Sequence, residues 1–247
     1  MPISPNQGST GGGTTVTITG TNLGGATAVK FGTKPATITA NTPTSVTAVS
    51  PSGTGTVGVT VTTPGGTSNP LSFFYVGAPF KASLSAASGA LAGGNAITIT
   101  GTGLSTATSV AFGANSAVPT VTSDSLISVT VPAGVAAGSV GVSVTTAGGT
   151  NNGLSYTYVD VPTVTTINPN SGPTSGGTAV TVTGANLTTT QSVTVGGAVA
   201  PFAVVDATTL SVVTPPGAAG AADVVVTTTG GAVTAAGGFT YVASPGI

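Results

Sequence analysis

The 247-residue sequence predicts an all-β protein, three tandem β-sandwiches of about 80 residues each forming a rod, and three observations predict it. The chain repeats itself. The segment Thr17-Ile18-Thr19-Gly20-Thr21-Asn22-Leu23 returns as Thr98-Ile99-Thr100-Gly101-Thr102-Gly103-Leu104, 81 residues on, and as Thr181-Val182-Thr183-Gly184-Ala185-Asn186-Leu187, a further 83 residues on. That period fits a whole small sandwich and is too long for a helix pair or a propeller blade. Within each copy, apolar residues alternate with Thr and Ser, the pattern of a half-buried strand. Gly, Pro and Asn fall between the alternating runs about every ten residues, and no helical period occurs.

The strands follow in order. In the first copy Val16 and Ile18 lead to Gly20, Val29 and Phe31 to Gly32, and Val46 and Ala48 to Pro51. Val57, Val59 and Val61 then lead to Pro64-Gly65-Gly66, and Leu71, Phe73 and Tyr75 close the unit. The second copy uses Ile97/Ile99, Val110/Phe112, Ile127/Val129, Val140/Val142/Val144 and Leu154/Tyr156/Tyr158. The third uses Val180/Val182, Val193/Val195, Leu210/Val212, Val224/Val226 and Phe239/Tyr241. An antiparallel sandwich is expected, with Val59, Val142, Val224 and Val226 facing the core from equivalent central strands and Thr on the solvated face. The pairs Gly12-Gly13, Gly93-Gly94 and Gly176-Gly177 precede the first long strand of each copy, where glycine permits positive φ in a tight turn. Domain boundaries are expected at 1–77, 78–160 and 161–247. The linkers Val76-Gly77-Ala78-Pro79 and Val159-Asp160-Val161-Pro162 each carry a proline, which argues for limited bending.

Composition excludes several function classes. Lys30, Lys34, Lys81, Asp124, Asp160, Asp206 and Asp223 are the only charged side chains, where about a quarter of residues is usual. With no Arg and no basic cluster, the electrostatic attraction behind most nucleic-acid affinity is missing, so no nucleic-acid partner is expected. Gly, Pro or Thr interrupts every apolar stretch, so no membrane span is expected. The absence of Cys rules out disulfides and thiolate metal sites. The start, Met1-Pro2-Ile3-Ser4-Pro5-Asn6, has neither a basic nor an apolar leader region, so no cleavable signal peptide is expected in the chain as given. That leaves a trimmed mature protein, a non-classical export route or a particle component released by lysis.

The run Ile167-Asn168-Pro169-Asn170-Ser171-Gly172-Pro173-Thr174-Ser175-Gly176-Gly177-Thr178, followed by Gly184-Ala185-Asn186-Leu187 and Val195-Gly196-Gly197, resembles the IPT/TIG family of immunoglobulin-like domains. The first copy is similar through Ser4-Pro5-Asn6-Gln7-Gly8, Gly12-Gly13-Thr14, Gly20-Thr21-Asn22-Leu23 and Phe31-Gly32. Copy two departs from the pattern, with Leu84-Ser85-Ala86-Ala87-Ser88-Gly89 where Asn/Ser-Pro is usual and Gly103 in place of Asn. The resemblance spans essentially the whole chain. It implies three tandem immunoglobulin-like, E-set type sandwiches of bacterial type. It leaves function open among surface proteins and adhesins, accessory modules of polysaccharide enzymes, receptors and transcription factors. The last use relies on basic DNA-contacting loops that this chain lacks.

Chemistry is sparse. Without His, Cys, Glu or Arg, the general bases reduce to Asp and Lys, and no Ser sits in a Gly-x-Ser-x-Gly elbow. The aspartates lie singly, without the clustered oxygen ligands of a calcium loop, so no metal and no cofactor are expected. Asp124 and Asp206 precede the strands at Ile127 and Leu210, where a turn role is expected. Lys30 and Lys34 are expected on the surface. There is no Trp platform for a sugar, and most Phe and Tyr occupy shared strand positions; Phe80 and Phe202 stand apart as candidate contact residues. Asn186-Leu187-Thr188 matches the N-glycosylation pattern, informative only in a host that uses it.

The expected function is therefore non-catalytic and structural: a subunit or spacer of an extracellular, cell-surface or particle-surface fibre, the particle being a virus or phage. The alternative is an adhesin-like module binding a glycan or surface protein through end loops. Head-to-tail self-association is expected through the tail Ala243-Ser244-Pro245-Gly246-Ile247. Tyr158 to Pro169 spans 11 positions, and the 6 positions after Tyr241 together with the 5 through Pro5 restore that spacing between copies. The same arithmetic holds for any chain of three whole repeats, which leaves both readings open.

Overall fold

A computed structural model describes residues 1–245, and the regular structure in them is β. Contact density divides the chain into two compact units. One comprises Met1–Ser85, Ala96–Thr130 and Gly141–Leu154; the other comprises Ala86–Asn95, Val131–Val140 and the residues from Ser155 onward.

In the first unit, the opening repeat places Ile3–Ser4, Thr15–Thr19, Ser45–Val49 and Lys34–Thr42 side by side in one sheet. The facing sheet runs Lys34–Thr42, Ala28–Phe31, Gly55–Thr63, Leu71–Val76 and Gln7–Ser9. Lys34–Thr42 belongs to both, because its first residues pair with Ala28–Phe31 and its later ones with Ser45–Val49. The later repeats break this strand in two, into Asn115–Ala117 and Thr120–Ser123, and into Ala198–Val199 and Phe202–Val204. Pro119 and Pro201 stand at the breaks, and proline cannot donate to a ladder. The first unit also holds the sheet Phe80–Leu84, Ala96–Thr102, Leu126–Thr130, Thr120–Ser123. In the second unit, the last repeat pairs Thr163–Asn168, Ala179–Ala185, Thr209–Val213 and Phe202–Val204 in one sheet. Its other sheet runs Ser171–Pro173, Gly231–Val242, Gly220–Thr228, Thr190–Val195 and Ala198–Val199.

The sequence predicts antiparallel sandwiches, and the structure departs from that at one short strand of each repeat. Gln7–Ser9, Ser88–Ala90 and Ser171–Pro173 each run parallel to the closing strand of their repeat. The lead segment begins antiparallel in one sheet and then crosses to the other. A parallel neighbour needs a long crossover, and the body of the repeat supplies it.

The expected register holds: Val59, Val142, Val224 and Val226 are all at most 2% exposed. Each repeat ends on an aromatic pair of the same geometry, with ring centroids 5.2, 5.2 and 5.1 Å apart and near-perpendicular planes for Phe73–Tyr75, Tyr156–Tyr158 and Phe239–Tyr241. The closing tyrosine hydroxyls donate to Pro51 O at 2.7 Å, Pro132 O at 2.8 Å and Pro215 O at 2.6 Å. The paired glycines have positive φ as read from the sequence, 79° and 81°, 68° and 90°, and 73° and 82°. The departure at Gly103 is explained too. Its φ of 72° matches 58° at Asn22 and 59° at Asn186, a left-handed position that Gly and Asn share.

Candidate functional site

Two recurring surfaces stand out, an end cleft and a junction turn. The cleft of the first repeat, about 540 Å³, lies beside the Phe31-Gly32-Thr33-Lys34 turn and the Ser52–Thr54 loop, with Tyr75 at its wall. Gly32, at φ 61°, donates its N–H to Gly58 O at 2.8 Å, and Lys34 Nζ reaches across to Ser52 O at 2.8 Å. The third repeat forms the equivalent cleft, about 500 Å³, between Val195–Ala198 and Pro216–Ala218 beside Tyr241. There Gly196 donates to Asp223 O at 2.9 Å, and the Asp223 carboxylate accepts Gly237 N–H at 2.8 Å. Hydroxyls, backbone groups and one aromatic wall can hold a neutral hydroxylated ligand in the first cleft.

The second surface is the turn joining the last two strands of a repeat. In Thr146–Gly149, Thr146 Oγ1 donates to Gly149 O at 3.3 Å and accepts Gly148 N–H at 3.2 Å. Thr228–Gly231 repeats this, Thr228 Oγ1 to Gly231 O at 3.3 Å and Gly230 N–H to Thr228 Oγ1 at 3.1 Å. Both turns press on linker backbone. A Cβ on Gly148 would stand 2.5 Å from the Gly77 carbonyl carbon and 2.9 Å from Val76 O. One on Gly230 would stand 2.6 Å from the Asp160 carbonyl carbon and 3.0 Å from Val159 O. Thr146 and Thr228 are buried there, at 6% and 3% exposure.

Phe80, the first residue of its strand, is 63% exposed. Phe202 is half-buried and packs against the core of the third repeat, which leaves less of its ring free for contact. In the tail, Ala243, Ser244 and Pro245 follow the last strand as exposed residues without regular structure; Gly246 and Ile247 lie outside the described residues. Asp124 has the expected turn role, accepting Gly103 N–H at 3.0 Å and Ser105 N–H at 3.3 Å. These bonds hold its carboxyl below the usual range, the Gly103 N–H most of all. Asp206 accepts the hydroxyl and N–H of Thr208, both at 2.7 Å, and is lowered likewise.

Sequence reasoning missed Lys81. It is 6% exposed, its Nζ donating to Val142 O at 2.6 Å and Asn151 O at 2.5 Å, while Asn151 Nδ2 donates to Pro79 O at 2.6 Å. Burial holds its ammonium below the usual lysine range. A signal existed, since Lys81 pairs with Gly101 as Val164 pairs with Gly184, and the repeat therefore places it at an apolar position.

The IPT/TIG domain model matches residues 1–75, 79–158 and 162–241. The chain belongs to the IPT/TIG domain family. Among solved structures, the full extracellular region of plexin A4 aligns over 99% of the chain and 24% of its own length, at 22% identity and a TM-score of 0.52. This IPT/TIG chain thus spans about a quarter of that plexin region. The Escherichia coli adhesin FdeC aligns over 98% of the chain and 96% of its own, at 14% identity and a TM-score of 0.40. The Bacteroides ovatus SGBP-B of a mixed-linkage glucan utilization locus, in complex with a heptasaccharide, aligns over 98% and 65%, at 17% identity and a TM-score of 0.30. The likeness to plexin is one of fold. A search of curated proteins finds no significant match. Among the described residues, no helix is long and apolar enough to cross a membrane, and no three potential carboxylate, thiol or imidazole ligands gather.

Proposed function

We propose that this chain is a non-catalytic structural protein of an extracellular, cell or particle surface, a fibre subunit or spacer with repeat boundaries at 77 and 160. One observation carries the reading: the same glycine turn is seated on linker carbonyls at both internal junctions. A ligand-binding string needs no such repeated seat, whereas a spacer does, because each seat fixes one repeat against the linker before it. Negative-stain microscopy of the purified chain tests it. Elongated unbranched particles are the expected result, and compact particles would overturn the reading.

The end cleft favours a second reading, an adhesin-like module that binds a neutral glycan through end loops. Its walls supply Thr33, Lys34 and Thr54 as hydrogen-bonding groups beside Tyr75. Calorimetric titration with neutral oligosaccharides tests it. Binding lost on Thr33→Val with Lys34→Ala supports the cleft, and no heat at millimolar sugar rejects it.

A further inference from the structure

Asn152 is the only asparagine in the chain that precedes a glycine. It is exposed, in the strand Gly149–Val159 between the junction turn and the closing Tyr156–Tyr158 pair. Counted from the turn glycines Gly66 and Gly149, with φ of 124° and 120°, Asn152-Gly153 aligns with Asn69-Pro70 of the first repeat. Regular pairing gives way at this place in the other repeats. Residues 68–70 separate the strands Gly66–Thr67 and Leu71–Val76, and residues 236–238 fall at a register shift in the third repeat. Gly153 itself has a φ of 143°, and a Cβ built on it would meet only Asn151 Oδ1, at 3.9 Å, so no neighbouring group crowds its backbone. Other asparagine amides are tied down. Asn41 Nδ2 donates to Leu23 O at 2.7 Å, Asn151 Nδ2 to Pro79 O at 2.6 Å and Asn186 Nδ2 to Val161 O at 3.0 Å. The Asn152 side chain has no such bond among the described residues.

We propose that Asn152-Gly153 is a site of spontaneous covalent modification, at which Asn152 converts to aspartate and isoaspartate through a cyclic imide and so loosens the hold of the second repeat on the linker before it. Hydroxide takes the Gly153 amide proton, and the Gly153 nitrogen bonds to Asn152 Cγ. The bond from Cγ to Nδ2 breaks, and ammonia leaves with a proton from water, which restores the hydroxide. Water then opens the imide. Attack at Cγ gives aspartate, and attack at the main-chain carbonyl of Asn152 gives isoaspartate. The glycine matters because no Cβ at 153 obstructs the approach of its nitrogen. Asn69 is barred from the same reaction, since Pro70 has no N–H to lose. Aspartate adds one negative charge to the formal −1 of the chain. Isoaspartate adds that charge and also reroutes the main chain through the side-chain methylene, lengthening the backbone. The residue before it is the one that grips the linker: Asn151 O accepts Lys81 Nζ at 2.5 Å while Asn151 Nδ2 holds Pro79 O. A lengthened backbone beside Asn151 pulls both groups out of place.

Prolonged incubation of the folded full chain at mildly alkaline pH tests it, followed by isoelectric focusing, intact mass and methyl labelling by an isoaspartyl methyltransferase. The expected product is an acidic species with the mass gain of an NH2-to-OH exchange, part of which takes up the methyl label. Asn152→Gln, a change at an exposed side chain, should keep the wild-type melting temperature and lose both the acidic species and the label. Asn152→Asp carries the new charge without the longer backbone. It should therefore keep the urea midpoint of fresh protein, whereas the incubated wild type falls below it. Acidic species that form as fast in Asn152→Gln would overturn the site. So would a folded chain that stays unchanged while the same chain unfolded in urea converts. Incubated protein that takes up the label but keeps the midpoint of fresh protein would overturn the effect on the linker.

Discussion

Tyr156 carries a hydroxyl that Phe73 and Phe239 lack, in a fully buried site, and the chain answers it with a second change. Asn95 stands where the other repeats have Thr14 and Thr178, and its amide meets the Tyr156 hydroxyl with Nδ2 at 2.9 Å and Oδ1 at 3.1 Å. Removing the hydroxyl takes away the group that the half-buried Asn95 amide meets. Tyr156→Phe alone is expected to cost about 1–3 kcal/mol, and adding Asn95→Thr should recover most of it, because replacing both members of a buried pair is far milder than replacing one. Equal denaturation midpoints for the single and double variants would sink this coupling. Lys81 invites the opposite test. Its ammonium has two carbonyl acceptors, and repeat three has Val164 at the same position. Lys81→Met should raise the urea midpoint, since an apolar side chain of similar length removes a desolvated charge. A lowered midpoint would mean that the two hydrogen bonds outweigh the desolvation. Neither feature was legible from alternation alone. Tyr156 occupies a core position as a Phe does, and Lys81 enters the interior because its pairing strand places it there.

At the scale of elements, the strands were legible because Thr and Val alternate with a period of two and each repeat shows the alternation again. Gly12, Gly93 and Gly176 were legible as turn residues, but the structure adds a second demand on them. A Cβ at Gly176 would stand 2.5 Å from the Pro215 carbonyl carbon, whereas Gly177 has open space around it. Gly177→Ala should therefore cost only the left-handed conformation, about 1–2 kcal/mol, and Gly176→Ala clearly more. Equal melting temperatures for the two variants would remove the steric part of that argument. Val142→Ala should cost about 1–3 kcal/mol, from lost burial and a residual cavity, and an unchanged midpoint would be incompatible with its full burial. The parallel lead strands were not legible. Gln7–Ser9 and its counterparts are three residues long, too short to show a period, and their partner lies a whole repeat away in sequence. The end clefts and the junction seats escaped for the same reason, since loops distant in sequence build them.

The whole molecule carries a formal net charge of −1 and has no His, so few groups can make its stability depend on pH. Asp124 and Asp206 have folded pKa values below their ordinary ones, so the stability they add is present above the carboxylate range and is lost as pH falls through it. Both are exposed, which keeps that loss small. Lys81 works in the other sense. Its folded pKa is lowered, so the penalty of burying its charge is relieved as pH rises toward the ordinary lysine value of 10.5. Burial raises the pKa of Tyr75, Tyr156, Tyr158 and Tyr241, so their contribution is intact below 10.0 and falls away above it. Between about pH 5 and pH 8 none of these groups titrates from its ordinary range. The urea midpoint should therefore be flat across that window, fall slightly below pH 4, and rise on the alkaline side before tyrosine ionisation reverses it. The alkaline rise should vanish in Lys81→Met. A midpoint that moves steadily between pH 5 and pH 8, or an alkaline rise that survives in Lys81→Met, would show that some other group governs the stability of the chain.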